Sequence, residues 1–107
     1  MSFVFRLIDR DDDAQDAVPS VAFQDSISPG YVPLWQEAGV YDALYNSDGQ
    51  RARDISRAVA YGIDRLAGDE SLGRLLPATC RLGEAIGFLE NVHRACVTHA
   101  SAIVETR

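Results

Sequence analysis

The stretch Ser47–Gly68, SDGQRARDISRAVAYGIDRLAG, is the most legible element of this 107-residue chain, and its reading decides the fold. Ala52, Ile55, Val59, Gly62 or Ile63, and Leu66 recur at helical spacing, while Arg53, Arg57, Asp64 and Arg65 fall on the opposite side. That pattern is a helix with one face to bury. Ser47 and Gln50 stand three apart and fit a capping box, in which each side chain satisfies a backbone donor at the other's residue. Asp48 places negative charge at the positive end of the helix dipole, and Gly68 is a natural stop.

Working downstream, Asp69 caps a short helix that runs to Leu76 and is broken there by Pro77. From about Ala78 to His99 the spacing predicts a long helix, buried through Leu82, Ala85, Ile86, Leu89, Val92 and Cys96. Glu90 and Arg94 form an oriented i,i+4 pair on it. The segment from Ala102 to Thr106 then reads as a strand. Upstream, Asn46-Ser47-Asp48-Gly49 is a dense turn signal. Ser28-Pro29 resembles a capped helix start, but Pro33 would then sit where intrahelical donors are needed, so Pro33 is the better start. Leu34, Trp35, Ala38 and Tyr41 or Val40 supply its apolar face. Gly39 either ends this helix or is spanned by it as far as Leu44. Phe3 to Ile8 is rich in aromatic and β-branched residues and reads as a strand, with Val21-Ala22-Phe23 a second, short one. The acidic run from Asp9 to Ala17 between them has no periodicity and reads as a solvated loop.

The expectation is a single domain over residues 1–107 of the α+β class, mostly helical. Three to four helices pack on a small sheet formed by the terminal strands, whose relative direction stays open. The length suits one hydrophobic core, and the 47% hydrophobic and 24% charged fractions are ordinary globular values. The start has no basic region followed by a long apolar stretch, and no segment approaches the ~18 apolar residues of a membrane span. A cytoplasmic location with no membrane partner is therefore expected. Cys80 and Cys96 are too few for a disulfide framework and read as buried thiols.

Charge is distributed unevenly. Residues 1–50 hold nine carboxylates against Arg6 and Arg10, a net −7, whereas residues 51–107 carry +1. Such a field repels nucleic acid and attracts basic partners. All ten basic residues are arginine. Every mechanism that needs an ε-amine, including the phosphate-loop lysine and Schiff-base catalysis, is excluded.

The residue sets of common catalytic centres are absent or wrongly spaced. Cys80, His93, Cys96 and His99 have the types of a zinc site, but Cys80 and His93 would lie about 20 Å apart along one helix. Asp9, Asp11 and Asp13 imitate the first ligands of a calcium loop, yet Ala14 and Ser20 stand where glycine and a bidentate glutamate are required. Neither a metal nor any other cofactor is expected. His93 and Cys96 share a helix face, where a core thiol stays protonated and inert. Arg51, Arg53 and Arg57 form a small basic patch, read as pairing with Asp54 or the acidic half.

Tyr31, Trp35, Tyr41 and Tyr45 cluster within fifteen residues, interleaved with Glu37 and Asp42. Trp35 and Tyr41 are read as core, leaving Tyr31 and Tyr45 partly exposed. Asp11, Asp12, Asp13, Tyr31, Glu37, Asp42, Tyr45 and Asp48 are accordingly the candidate contacts for a protein partner with a basic surface. Gly30-Tyr31, Leu34, Ala38-Gly39 and Tyr45-Asn46-x-Asp48-Gly49-Gln50, leading into an Ala-rich helix, resemble a pattern in short bacterial proteins. These are similar in kind to small proteins of the immunity or antitoxin type. The resemblance covers about forty residues and implies an inhibitor-like binding role, with no catalytic residue. The alternatives are a structural or regulatory subunit that dimerises through an open strand edge, and a small enzyme.

Overall fold

The computed structural model describes residues 2–9 and 19–107 and has an α+β architecture, mostly helical. The strands are β1 (Phe3–Asp9), β2 (Ser20–Ile27) and β3 (Ile103–Thr106), in the order β2-β1-β3 with both pairings antiparallel. The helices are α1 (Val32–Ala38), α2 (Tyr41–Tyr45), α3 (Ala52–Ala67) and α4 (Leu82–Thr98). Two 3-10 turns, Pro29–Tyr31 and Glu70–Leu75, precede α1 and follow α3. The terminal strands do form the sheet, with β1 in the centre. β2 is longer than the Val21–Phe23 signal suggested, because its outer face is polar and its apolar positions alternate.

Phe3, Phe5 and Leu7 alternate along β1 and point into the helical layer, where all three are buried. Directly opposite them on β2 are Ile27, Asp25 and Phe23. Leu7 faces Phe23 but Ile8 faces Val21, so Ala22 is the extra residue of a β-bulge. β3 is fixed on both sides. Val4 and Arg107 exchange both backbone hydrogen bonds at 3.0 Å. On the other flank the Gly49 N–H donates to Val104 O, and the Val104 N–H to Gln50 O.

That second flank moves the start of α3. The expected capping box of Ser47 and Gln50 does not form, because residues 47–50 close a turn, with the Gln50 N–H on Ser47 O, and residues 49–51 cover the open side of β3. Gly49 makes the turn with φ +86°, a region glycine enters without steric cost. The helix begins at Ala52, and the Asp54 carboxylate accepts from the Arg51 N–H at 3.2 Å. Only the returning half of a box forms, four residues along, because the Arg51 side chain has no acceptor to offer a backbone donor. Ser47 is buried and its hydroxyl donates back to Ala43 O at 2.6 Å.

Both prolines near α1 are accommodated. Ser28 Oγ accepts from the Gly30 N–H and caps a separate 3-10 turn, so Pro33 falls in the first turn of α1. Gly39, at φ +77°, ends α1, and α2 follows as a separate element. The segment expected to start α4 at Ala78 instead forms a turn, with the Cys80 N–H on Pro77 O, and the helix starts at Leu82. Glu90 and Arg94 form no ion pair in this arrangement, so that expectation fails. The N-terminus of α3 lies beside the C-terminus of α4, since Ala52 and Arg53 N–H groups donate to Ala102 O and Ala100 O. The two long helices therefore run antiparallel. Ile55, Val59 and Leu66 of α3 and Ala85, Phe88, Leu89, Val92 and Cys96 of α4 are buried between them and the sheet.

Candidate partner-binding face

The structure separates the sequence-derived contact residues. Asp11, Asp12 and Asp13 lie outside the described residues, as does most of the acidic run and the calcium-loop imitation. Tyr31, expected to be partly exposed, is only 2% exposed. Its hydroxyl donates to Glu84 Oε2 at 2.9 Å and accepts from the Arg81 N–H at 3.0 Å. It thus ties the 3-10 turn before α1 to the start of α4, and its ring stacks on Trp35. Burial pushes its phenol above the ordinary value, with Glu84 adding to this against the opposing pull of the Arg81 N–H. Tyr31 is a structural residue.

Asp48 is also committed within the fold. One carboxylate oxygen accepts from both the Thr106 N–H at 2.6 Å and the Thr106 hydroxyl at 3.0 Å. It satisfies the last donor of β3 rather than the dipole of α3. The recess beside it, about 510 Å³, is lined by Ile8, Arg51, Ile103, Glu105 and Thr106. Its charges are occupied: Arg51 donates to Ser101 O, and Glu105 pairs with Arg6 and Arg107. Size alone does not make this recess a binding site.

Tyr45 is half-buried and stacks on Phe3 at 4.1 Å and on Tyr41 at 4.9 Å between ring centroids. Its hydroxyl has no hydrogen-bond partner among the described residues. Burial pushes its pKa up, and the neighbouring Tyr41 adds to that. Tyr41 is half-buried rather than core. The stack anchors α2 to the end of the sheet.

What remains of the acidic surface is organised by α3. At about 100° per residue, Asp54, Ala58, Tyr61 and Arg65 follow one another along one side of the helix. Asp54 and Ala58 line a recess of about 200 Å³ with Asp42, Ala43, Asn46, Gln50 and Ile55. Its floor is small and apolar, its walls are amides and two exposed carboxylates, and no arginine lines it. Asp42 accepts from Asn46 Nδ2 at 2.7 Å, which fixes its rotamer. Further along the same side, Arg65 pairs with Glu37 at 3.6 Å and Asp69 at 3.5 Å. Asp69 is held below the usual carboxylate range, first by the Ser71 hydroxyl and backbone N–H and then by Arg65. Tyr61 stands between the recess and this ion-pair group and is 65% exposed, the most exposed large hydrophobic among the described residues.

Sequence reasoning selected Glu37 and Asp42 on this face but passed over Asp54 and Tyr61. The Asp54 carboxylate, one of the expected partners of the Arg51, Arg53 and Arg57 patch, accepts from the Arg51 backbone N–H at 3.2 Å. Arg53 and Arg57 remain exposed on the solvent side of α3.

Among the described residues no group of three or more His, Cys, Asp or Glu is placed to hold a metal ion. Nor is any helix among them long and apolar enough to cross a membrane. Both cysteines are free thiols; Cys96 is buried, and Cys80, expected to be buried too, is half-buried. Burial pushes the Cys96 thiol from an ordinary value near 9 up to about 11. Because the folded value is the higher one, this group's contribution to stability is intact below about pH 9 and is lost as pH rises towards 11. Folded protein at pH 8 should therefore react with one equivalent of a thiol reagent, at Cys80, and with two in denaturant. Two fast equivalents in the folded state would contradict the burial of Cys96.

No protein-family model matches this chain, and no curated protein or solved structure does either.

Proposed function

We propose that the protein is a small binding protein whose acidic and aromatic α2–α3 face receives an arginine- or lysine-bearing protein partner. This is the type of role that immunity and antitoxin proteins perform. The observation that carries the reading is the recess holding Asp42 and Asp54 with no cation in its lining, flanked by the exposed Tyr61. A guanidinium entering it would meet two carboxylates and the Asn46 and Gln50 amides over an apolar floor. Charge-assisted hydrogen bonds of this type are the stronger ones, and an exposed tyrosine is a frequent anchor at interfaces. The net −7 of residues 1–50 would steer a basic partner toward the protein.

The test is binding of the tagged protein to the products of the genes next to its own, measured by surface-attached kinetics. D42N/D54N keeps the acceptor oxygens and removes both charges. It is expected to weaken the complex about tenfold, mainly through a slower association that high salt imitates. Tyr61→Ala is expected to act on dissociation instead. A complex indifferent to salt and to all three substitutions, or no complex with any neighbour, would sink the reading.

A further inference from the structure

The sheet has two edges, and they are treated differently. The β3 edge is sealed by residues 49–51 and by the Asp48 carboxylate on the Thr106 N–H. At β2 no described strand pairs on the outer side. Which backbone groups it presents follows from alternation. Val4 directs both its N–H and its C=O to Arg107, so Phe3, Phe5 and Leu7 direct theirs to β2. Ile27, Asp25 and Phe23 are therefore bonded inward to β1, and Gln24 and Ser26 turn their N–H and C=O groups outward, where the Ser26 N–H donates to Asp25 Oδ1 at 2.8 Å. An edge of this kind is a template for another strand.

The side chain between those two residues does not suit such pairing. Asp25 lies opposite the fully buried Phe5, on the face of β2 that also carries Phe23 and Ile27. That face looks toward α4, and Asp25 Oδ2 accepts from Asn91 Nδ2 on α4 at 3.4 Å. The carboxylate thus occupies an edge N–H and reaches α4, at a position where an apolar residue would continue the alternation set by Phe23 and Ile27. The Ala22 bulge further disrupts the same edge.

We infer that Asp25 keeps the β2 edge from pairing with a second copy of this chain. The register makes the reason concrete. Two β2 strands brought together antiparallel through their outward groups would match Gln24 of one with Ser26 of the other. The two-fold axis would then fall on Asp25, which would face Asp25 of the other copy as a non-hydrogen-bonded pair. Side chains in such pairs are the closest in a sheet, with Cβ atoms about 4.5–5.5 Å apart, and like charges placed there are destabilising. Both carboxylates would also lose water beneath a continuous six-stranded sheet. The same edge with a β-branched apolar residue in the centre would be self-complementary.

The inference is tested by light scattering on size-exclusion peaks at 10–200 μM on the order of interface-forming concentrations. The wild-type chain is expected to be monomeric throughout, and Asp25→Val to shift to a dimer within that range. A second change, Gln24→Pro in the Asp25→Val background, removes an outward N–H without touching the ladder to β1 and should restore the monomer. Far-UV circular dichroism and protection of the Cys96 thiol report that each variant is folded. A stable wild-type dimer, a folded monomeric Asp25→Val, or an Asp25→Val dimer that survives Gln24→Pro would each overturn the assignment.

Discussion

Trp35→Ala is expected to lower the unfolding free energy by about 3–5 kcal/mol, a large share of the 5–15 kcal/mol typical of a domain this size. Trp35 is fully buried, with ring centroids 5.7 Å from Tyr31 and 6.0 Å from Phe88. It therefore joins the short α1 to the turn before it and to α4. A seven-residue helix has too few internal hydrogen bonds to hold itself, so α1 depends on this contact. Truncation removes the apolar area and leaves a cavity between elements that other contacts hold apart. Trp35→Phe separates the causes: it keeps a ring in the stack and removes an indole N–H that has no acceptor among the described residues. It should cost less than half as much. Denaturant titration followed by circular dichroism gives both values, since the only tryptophan is lost. Equal losses for the two variants would mean that the ring stack is not what matters.

The contrast between what was and was not legible in the sequence follows the range of the interactions concerned. The body of α3 was readable because Ile55, Val59 and Leu66 repeat at the helix period, a property of the segment alone. Its start was not, because residues 49–51 are held by residues 103–104, more than fifty positions away. A local capping signal at Ser47 and Gln50 lost to a sheet contact that no local pattern announces. Tyr31 was misplaced for the same reason, since its two hydrogen-bond partners are Glu84 and Arg81. Phe88 was missed although it stands three residues after Ala85, on the stripe already assigned to the core. The candidate face shows the same division. The spacing of Asp54, Ala58 and Tyr61 was available in the sequence, but there Asp54 reads only as a partner for the neighbouring arginines, and Ala58 and Tyr61 carry no signal of their own. Their significance depends on α2 lying alongside, and the alternatives at Gly39 left the position of α2 open.

Besides the Tyr45 stack, one close contact beneath the link into α2 bears on that position, and Gly62→Ala is expected to expose it. A Cβ at Gly62 would overlap Val40 Cγ1 and stand 3.6 Å from Leu89 Cδ1. Val40 is fully buried in the link between α1 and α2, and its N–H is bonded to Trp35 O at 3.0 Å, so it has little room to withdraw. In an exposed helix the same substitution would gain about 1 kcal/mol from propensity. Here the overlap outweighs that gain, and a net loss of about 2–3 kcal/mol is expected. Val40→Ala alone should also destabilise, by leaving a cavity. The double variant should be more stable than the sum of the two predicts, because each change supplies the space or volume the other lacks. A coupling of at least about 1 kcal/mol is expected from such neighbours. Strict additivity in urea titrations, or a neutral Gly62→Ala, would show that α2 and α3 are not locked at this point. The same pair bears on binding, since Asp42 rides on α2 and Asp54 on α3. Gly62→Ala should therefore also weaken partner binding, and restoration by Val40→Ala would tie the recess to the packing beneath it.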